Sequence, residues 1–97
     1  MATYITLIKW TDQGIKDVKN TMTRGQQGQR GAEMVGGKVV GMYWTQGAYD
    51  VVLVSEFPDD ETAAAYFLRA GQEGTFHTET MRAFTQEEMQ RIIQKMG

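Results

Sequence analysis

The sequence predicts an α+β domain built on one four-stranded antiparallel sheet, on three observations. Four segments, at 3–10, 38–45, 49–57 and 75–84, are dense in β-branched and aromatic side chains. Helical patterns fill the intervals after the first and third of them. The second and third are joined by only Gln46-Gly47-Ala48, which forces an antiparallel hairpin.

The first strand puts Tyr4, Thr6, Ile8 and Trp10 on one face and Ile5, Leu7 and Lys9 on the other. Both faces are partly apolar, as in a central strand covered on two sides. Thr11 or Asp12 caps the helix that follows, where Ile15, Val18 and Met22 recur at i, i+3 and i+7. A helix is expected across 12–35, although Gly25, Gly28 and Gly31 each cost about 1 kcal/mol relative to alanine. A break within 24–31 is the competing reading. Gly36-Gly37 ends the helix. Val51 to Val54 is continuously apolar, again as in a strand covered on both faces. Pro58 stops that strand, and Asp59, Asp60 and Glu61 place negative charge where a helix N-terminus favours it. Ala63, Ala64, Phe67 and Leu68 form the apolar side of this second helix, and Gly71 and Gly74 bracket its exit. In the fourth strand Phe76, Thr78, Thr80, Arg82 and Phe84 share one face, and His77, Glu79, Met81 and Ala83 the other. Thr85-Gln-Glu-Glu88 is a capping box, followed by Met89, Ile92, Ile93 and Met96 on one helical face.

The order strand, helix, strand, strand, helix, strand is the split βαβ of a ferredoxin-like fold, βαββαβ, here with an extra C-terminal helix. Right-handed crossovers put both main helices on one sheet face and the first and third strands in the middle. The other face keeps large apolar groups whichever parity points outward, and such a patch marks an interface. The expectation is a homodimer with sheets packed face to face, a dimeric α+β barrel. The alternative is that the C-terminal helix folds back over the open face.

Composition bounds the function. The 97 residues form one domain, 1–97, whose modest core a second copy would help complete. A net charge of −2 gives no general pull toward polyanions, and the locally basic stretch 13–32 has no aromatic residue to stack on bases. No nucleic-acid partner is expected. Cysteine is absent, which excludes disulfides, thiolate metal sites and a cysteine nucleophile. No apolar run approaches the ~20 residues of a membrane span. The N-terminus does not read as a signal peptide, so a cytoplasmic protein is expected. Ser55 is the only serine, and no nucleophile elbow, P-loop or dinucleotide fingerprint is present. No cofactor and no metal are expected.

Several segments carry a resemblance. Gly-Ala-Tyr-Asp at 47–50 leads into an apolar strand, and Phe-Pro-Asp-Asp-Glu-Thr-Ala-Ala-Ala follows at 57–65. Thr-Glu-Thr-Met-Arg-Ala-Phe lies at 78–84, with Tyr-Ile-Thr-Leu-Ile-Lys-Trp-Thr at 4–11 and Gly-Lys-Val-Val-Gly-Met-Tyr-Trp-Thr at 37–45. Together they resemble the GYD domain family, named for a Gly-Tyr-Asp signature that Ala48 interrupts here. The resemblance covers nearly the whole chain. It implies a small cytosolic protein of dimeric α+β barrel type and no known activity. The glycine-rich stretch 24–31 departs from the alanine- and leucine-rich helix that the resemblance implies.

The candidate catalytic groups are Asp50, His77 and Glu79. His77 is the only histidine, and in a strand it lies about 6.5–7 Å from Glu79 on the same face. That spacing suits metal binding or a proton relay, with a polar edge-strand or interface pair as the alternative. Asp50 can act as a base or orient a ligand; alternatively it caps the turn or pairs with Arg82 or Lys38. Trp10, Tyr43, Trp44, Tyr49 and Asp50 are candidate ligand-binding residues for a small apolar or aromatic molecule, with core or interface packing as the alternative role of the aromatics. Three functions remain open: a homodimeric small-molecule-binding or interaction module, a cofactor-free monooxygenase- or isomerase-like enzyme on a small aromatic or carbonyl compound, and a structural oligomerisation domain.

Overall fold

A computed structural model describes all residues 1–97. Strand β1 (Ala2–Trp10) leads through Thr11, whose hydroxyl accepts the Gly14 N–H, into a short helix α1 (Asp12–Lys16). A 3₁₀ turn (Val18–Asn20) separates α1 from α2 (Thr21–Met34). The hairpin strands are β2 (Lys38–Trp44) and β3 (Val51–Phe57), followed by α3 (Asp60–Gly71), β4 (Phe76–Ala83) and α4 (Gln86–Met96). The sheet order is β2-β3-β1-β4 with every pair antiparallel, so β1 and β3 are central as expected and the fold is ferredoxin-like. No helix is long and apolar enough to cross a membrane.

Two local expectations change. The first helix is interrupted, but at 17–20 rather than in the glycine-rich stretch, which is helical throughout. Its glycines allow close approach. A Cβ at Gly25 would stand 3.1 Å from Met42 Sδ, and one at Gly28 3.3 Å from the Tyr66 hydroxyl. Tyr66 donates that hydroxyl to the Gly28 carbonyl at 2.6 Å, so α2 and α3 meet where a side chain is missing. The helical cost of glycine is offset by this packing. The third strand also starts two residues later than the expected 49, because Tyr49 and Asp50 belong to the turn.

The register fixes which face is covered. Tyr4, Thr6 and Ile8 of β1 and Val51, Leu53, Ser55 and Phe57 of β3 are buried under the helices. Phe57 is enclosed by Tyr4, Ala32 and Ala63, with the rings of Tyr66 and Phe67 against it. Thr6 and Thr80 share a hydroxyl hydrogen bond at 3.0 Å, whereas the buried Ser55 Oγ finds no partner. The opposite parity is uncovered. Its central rows are Tyr43–Val52–Leu7–Glu79 and Gly41–Val54–Ile5–Met81. Lys38, Glu56 and Thr3 border them at one end, and Lys9 and His77 at the other. The C-terminal helix does not close this face: it buries none of its residues, and Met89, Ile93 and Met96 are 45%, 54% and 79% exposed. The radius of gyration, 14.5 Å against about 13 Å for a compact chain of 100 residues, reflects an extended outline of 51 × 31 × 19 Å.

Two glycines give a contrasting test of this packing. A Cβ at Gly14 would lie 1.9 Å from the Thr75 carbonyl oxygen, a backbone atom, while one at Gly71 meets nothing within 4 Å. Gly14→Ala is expected to lower unfolding stability by about 1–3 kcal/mol. Gly71→Ala is expected to be neutral or to raise it by up to about 1 kcal/mol. Urea denaturation of both variants measures the difference; equal effects would contradict the packing at α1.

Candidate functional site

The recess with the most convergent chemistry lies between α3 and β4 on the covered side of the sheet. Asp59 caps α3 by accepting the Thr62 N–H at 2.7 Å, which sets Asp60 in the first turn. Beneath it the Tyr4 ring rises from β1 and donates its hydroxyl to Asp60 Oδ1. The groove holds about 310 Å³ and is lined by Tyr4, Asp60, Ala63, Ala64, Phe67, Thr80 and Arg82. The two alanines keep the helical wall low, so the space over β4 stays open. Burial, reinforced by the hydrogen bond to Asp60, pushes the Tyr4 hydroxyl up to about 12. The phenol is therefore neutral near pH 7, and its free lone pair and the second carboxylate oxygen face a partner as acceptors.

Arg82 closes one end. Its guanidinium lies 4.6 Å from the Phe84 ring centroid and 5.8 Å from that of Tyr4. It donates to the Thr3 and Ala83 carbonyls, and Nη2 stands 3.6 Å from Glu88 Oε2. These contacts hold a positive charge against apolar surface, a setting that suits an anionic or carbonyl-bearing ligand.

The candidates read from sequence fall elsewhere. His77 and Glu79 do share a face, but it is the uncovered one. There the Tyr49 hydroxyl donates to Glu79 Oε2 at 2.9 Å, which raises the Tyr49 pKa, and Lys9 Nζ donates to the Ala48 carbonyl at 3.3 Å. These residues make a polar margin beside the apolar rows. Asp50 is engaged by backbone: its Oδ2 accepts the Trp10 N–H at 2.8 Å, and its own N–H donates to the Ile8 carbonyl at 2.8 Å. Its suggested cations are taken, since Lys38 faces Glu56 at 4.0 Å and Arg82 faces Glu88. The Gly-Ala-Tyr-Asp segment thus fastens the hairpin to β1 through Asp50 and to β4 through Tyr49. Gly47 supplies the positive φ (+119°) that its turn requires.

The three aromatics are not gathered. Trp10 packs beside Ile8, Val51 and Leu53, and Trp44 Nε1 donates to Thr21 Oγ1 of α2 at 2.9 Å. Tyr43, one residue away, points to the opposite face. Sequence reasoning missed Tyr4, Asp60 and Thr80 as site residues and saw Arg82 only as a salt-bridge partner. The available signal was Thr78, Thr80 and Arg82 on the helix-facing side of β4, where a core strand is normally apolar.

A second recess, between α1, α2 and the α3–β4 loop, has no apolar wall. Arg24 spans it, bound to Asp17 at 2.6 Å and near Glu73 at 3.6 Å, and holds the Asp17 carboxyl below the usual range. No three His, Cys, Asp or Glu side chains gather where they would hold a metal ion.

The Tyr4 environment has a measurable consequence. Its pKa is about 12 in the folded chain against 10.0 unperturbed, so the folded state keeps the proton longer. The stability this contributes is complete below about pH 10 and is lost as pH rises toward 12. Absorbance titration of the native protein is expected to show a tyrosine phase near pH 12 that disappears in Tyr4→Phe. Its persistence in that variant would contradict the assignment.

Comparison with curated proteins finds no match. The family model described as the GYD domain matches residues 4–93, from the site tyrosine through most of the C-terminal helix, and the chain belongs to that family.

Proposed function

We propose that this protein is a homodimeric small-molecule-binding module. The observation that carries the binding part is the Tyr4–Asp60 pair on a half-apolar groove that Arg82 closes. About 310 Å³ is at the small end of ligand sites and suits a flat aromatic or short aliphatic molecule with one carbonyl or carboxylate group. Phe67 and the two alanines would take its apolar body, and Arg82 its oxygen. A cytoplasmic location is kept as part of this reading.

The pairing part rests on the uncovered sheet face. Ile5, Leu7, Val52, Val54 and Met81 form its apolar centre, with Lys38, Glu56 and Thr3 at one end and Lys9, His77, Glu79 and Tyr49 at the other. An apolar centre with a polar margin is the anatomy of a subunit interface. A second copy presents the same surface, and a two-fold axis buries both at once.

The reading as a cofactor-free enzyme draws less support. Tyr4 keeps its proton at neutral pH and donates a hydrogen bond to Asp60, which makes the pair a hydrogen-bonding fixture rather than a base. Asp50, His77 and Glu79 line neither of the two recesses described above.

Two experiments test the proposal. Ligand-observed NMR with a panel of small aromatic and aliphatic carbonyl and carboxylate compounds is expected to find binders. Ala64→Trp, which fills the groove from an exposed wall position, should abolish that binding, and unchanged binding in this variant would refute the groove as the site. Val54→Lys, which puts a charge at the centre of the open face, is expected to give a folded monomer by light scattering and circular dichroism; an intact dimer would refute the pairing.

A further inference from the structure

Two charged side chains line the groove between α3 and β4, Asp60 and Arg82, and their charges are matched differently. Arg82 has its counter-ion inside the chain: Glu88 Oε2 stands 3.6 Å from Nη2. The start of α4 holds Glu88 there. Its Oε1 accepts the Thr85 N–H at 2.9 Å, and its own N–H donates to the Thr85 hydroxyl at 3.2 Å. The Thr85 backbone N–H, with Arg82 adding to it, holds the Glu88 carboxyl below its usual range, so Glu88 is charged near pH 7. A ligand anion could displace Glu88 only by disturbing this capping box.

Arg82 nevertheless has donors to spare. Its Nη1 serves the Thr3 and Ala83 carbonyls, and no group of the chain accepts from Nε. It offers hydrogen bonds to a ligand oxygen, but no unmatched positive charge. Asp60 is the reverse case. Its Oδ1 accepts the Tyr4 hydroxyl, and no Lys, Arg or His nitrogen lies within 4.0 Å of its carboxylate. Asp60, Glu88 and Arg82 together leave one excess negative charge at the groove.

We propose that the groove takes an uncharged ligand carrying both an N–H or O–H donor and a carbonyl acceptor, as an amide does, and that Glu88 is the residue that turns carboxylates away. The proposal rests on the binding reading above and narrows its ligand class. An amide gives its N–H to Asp60 and receives from Arg82 at its carbonyl. A carboxylate has no donor for Asp60, is repelled by it, and finds the Arg82 charge already answered. An organic cation would suit Asp60, but it would bring a second positive charge toward the guanidinium and offer it no acceptor. Selection of this kind works through a repulsive group as much as an attractive one.

Benzamide, benzoate and benzamidinium share one shape and differ in charge, so they isolate this effect. In titrations followed by ligand-observed NMR, benzamide is expected to bind the wild-type protein at least about fivefold more tightly than either ion. Glu88→Gln keeps the capping box, because glutamine also serves at that position, and circular dichroism checks its fold. This variant is expected to bind benzoate at least about fivefold more tightly than the wild type does, with benzamide changed less than about twofold. Benzoate or benzamidinium as the tightest wild-type ligand would overturn the ligand class. Unchanged benzoate affinity in Glu88→Gln would overturn the role of Glu88. Benzamide binding that survives Ala64→Trp, or no binding by any of the three probes, would instead refute the groove itself as the site, and the proposal with it.

Discussion

A sheet with two apolar faces and helices over only one of them is the constraint on which the rest of this structure depends. β1 and β3 are central, and each places large side chains on both sides. One side is closed by α2 and α3, which seal Phe57 among Tyr4, Ala32 and Ala63. The other side keeps Ile5, Leu7, Val52 and Val54 together without cover. The C-terminal helix α4 buries none of its residues. In the proposed dimer, a second copy offers a surface with the same apolar centre and polar margins.

The covered side is economical in a related way. α2 approaches the sheet and α3 through glycines, and α3 presents alanines where it passes β4. Small residues let the helices sit close over β2, β3 and β1, and leave the space over β4 open. Into that space the sheet directs unusual side chains for a core face: Tyr4, Thr80 and Arg82. Thr80 is satisfied by Thr6 and Tyr4 by Asp60, so the polar groups are held in place by one another.

Much of the fold was legible because local signals agreed. The three-residue link between 45 and 49, the capping box at Thr85 and Glu88, and the two-sided strands all pointed to one topology, and the structure has it. The orientation of the sheet was not legible. The parity that turned out to be covered contains Tyr4, Thr6 and Ser55, whereas the uncovered one contains Ile5, Leu7, Val52 and Val54; hydrophobicity alone would not have placed the former inside. The helix expected through the glycine-rich stretch is present. The competing break there came from helix propensity, which counts the cost of glycine and cannot see Met42 and Tyr66, which need the room; the interruption at 17–20 was not read. The site was mostly illegible for a similar reason. Asp50 and Tyr49 attract attention as a polar motif, yet their hydrogen bonds fasten the hairpin. Tyr4 and Asp60 are 56 positions apart, and only the packing of α3 on β1 brings them together.

The central claim is that the open face of the sheet is buried against a second copy. Native mass spectrometry of the freshly purified wild-type protein tests it most directly, because it reads assembly and any retained molecule in one spectrum. The account predicts a species of twice 10.9 kDa, with any added mass being that of a small organic compound. A bare 10.9 kDa monomer at micromolar concentration would contradict it.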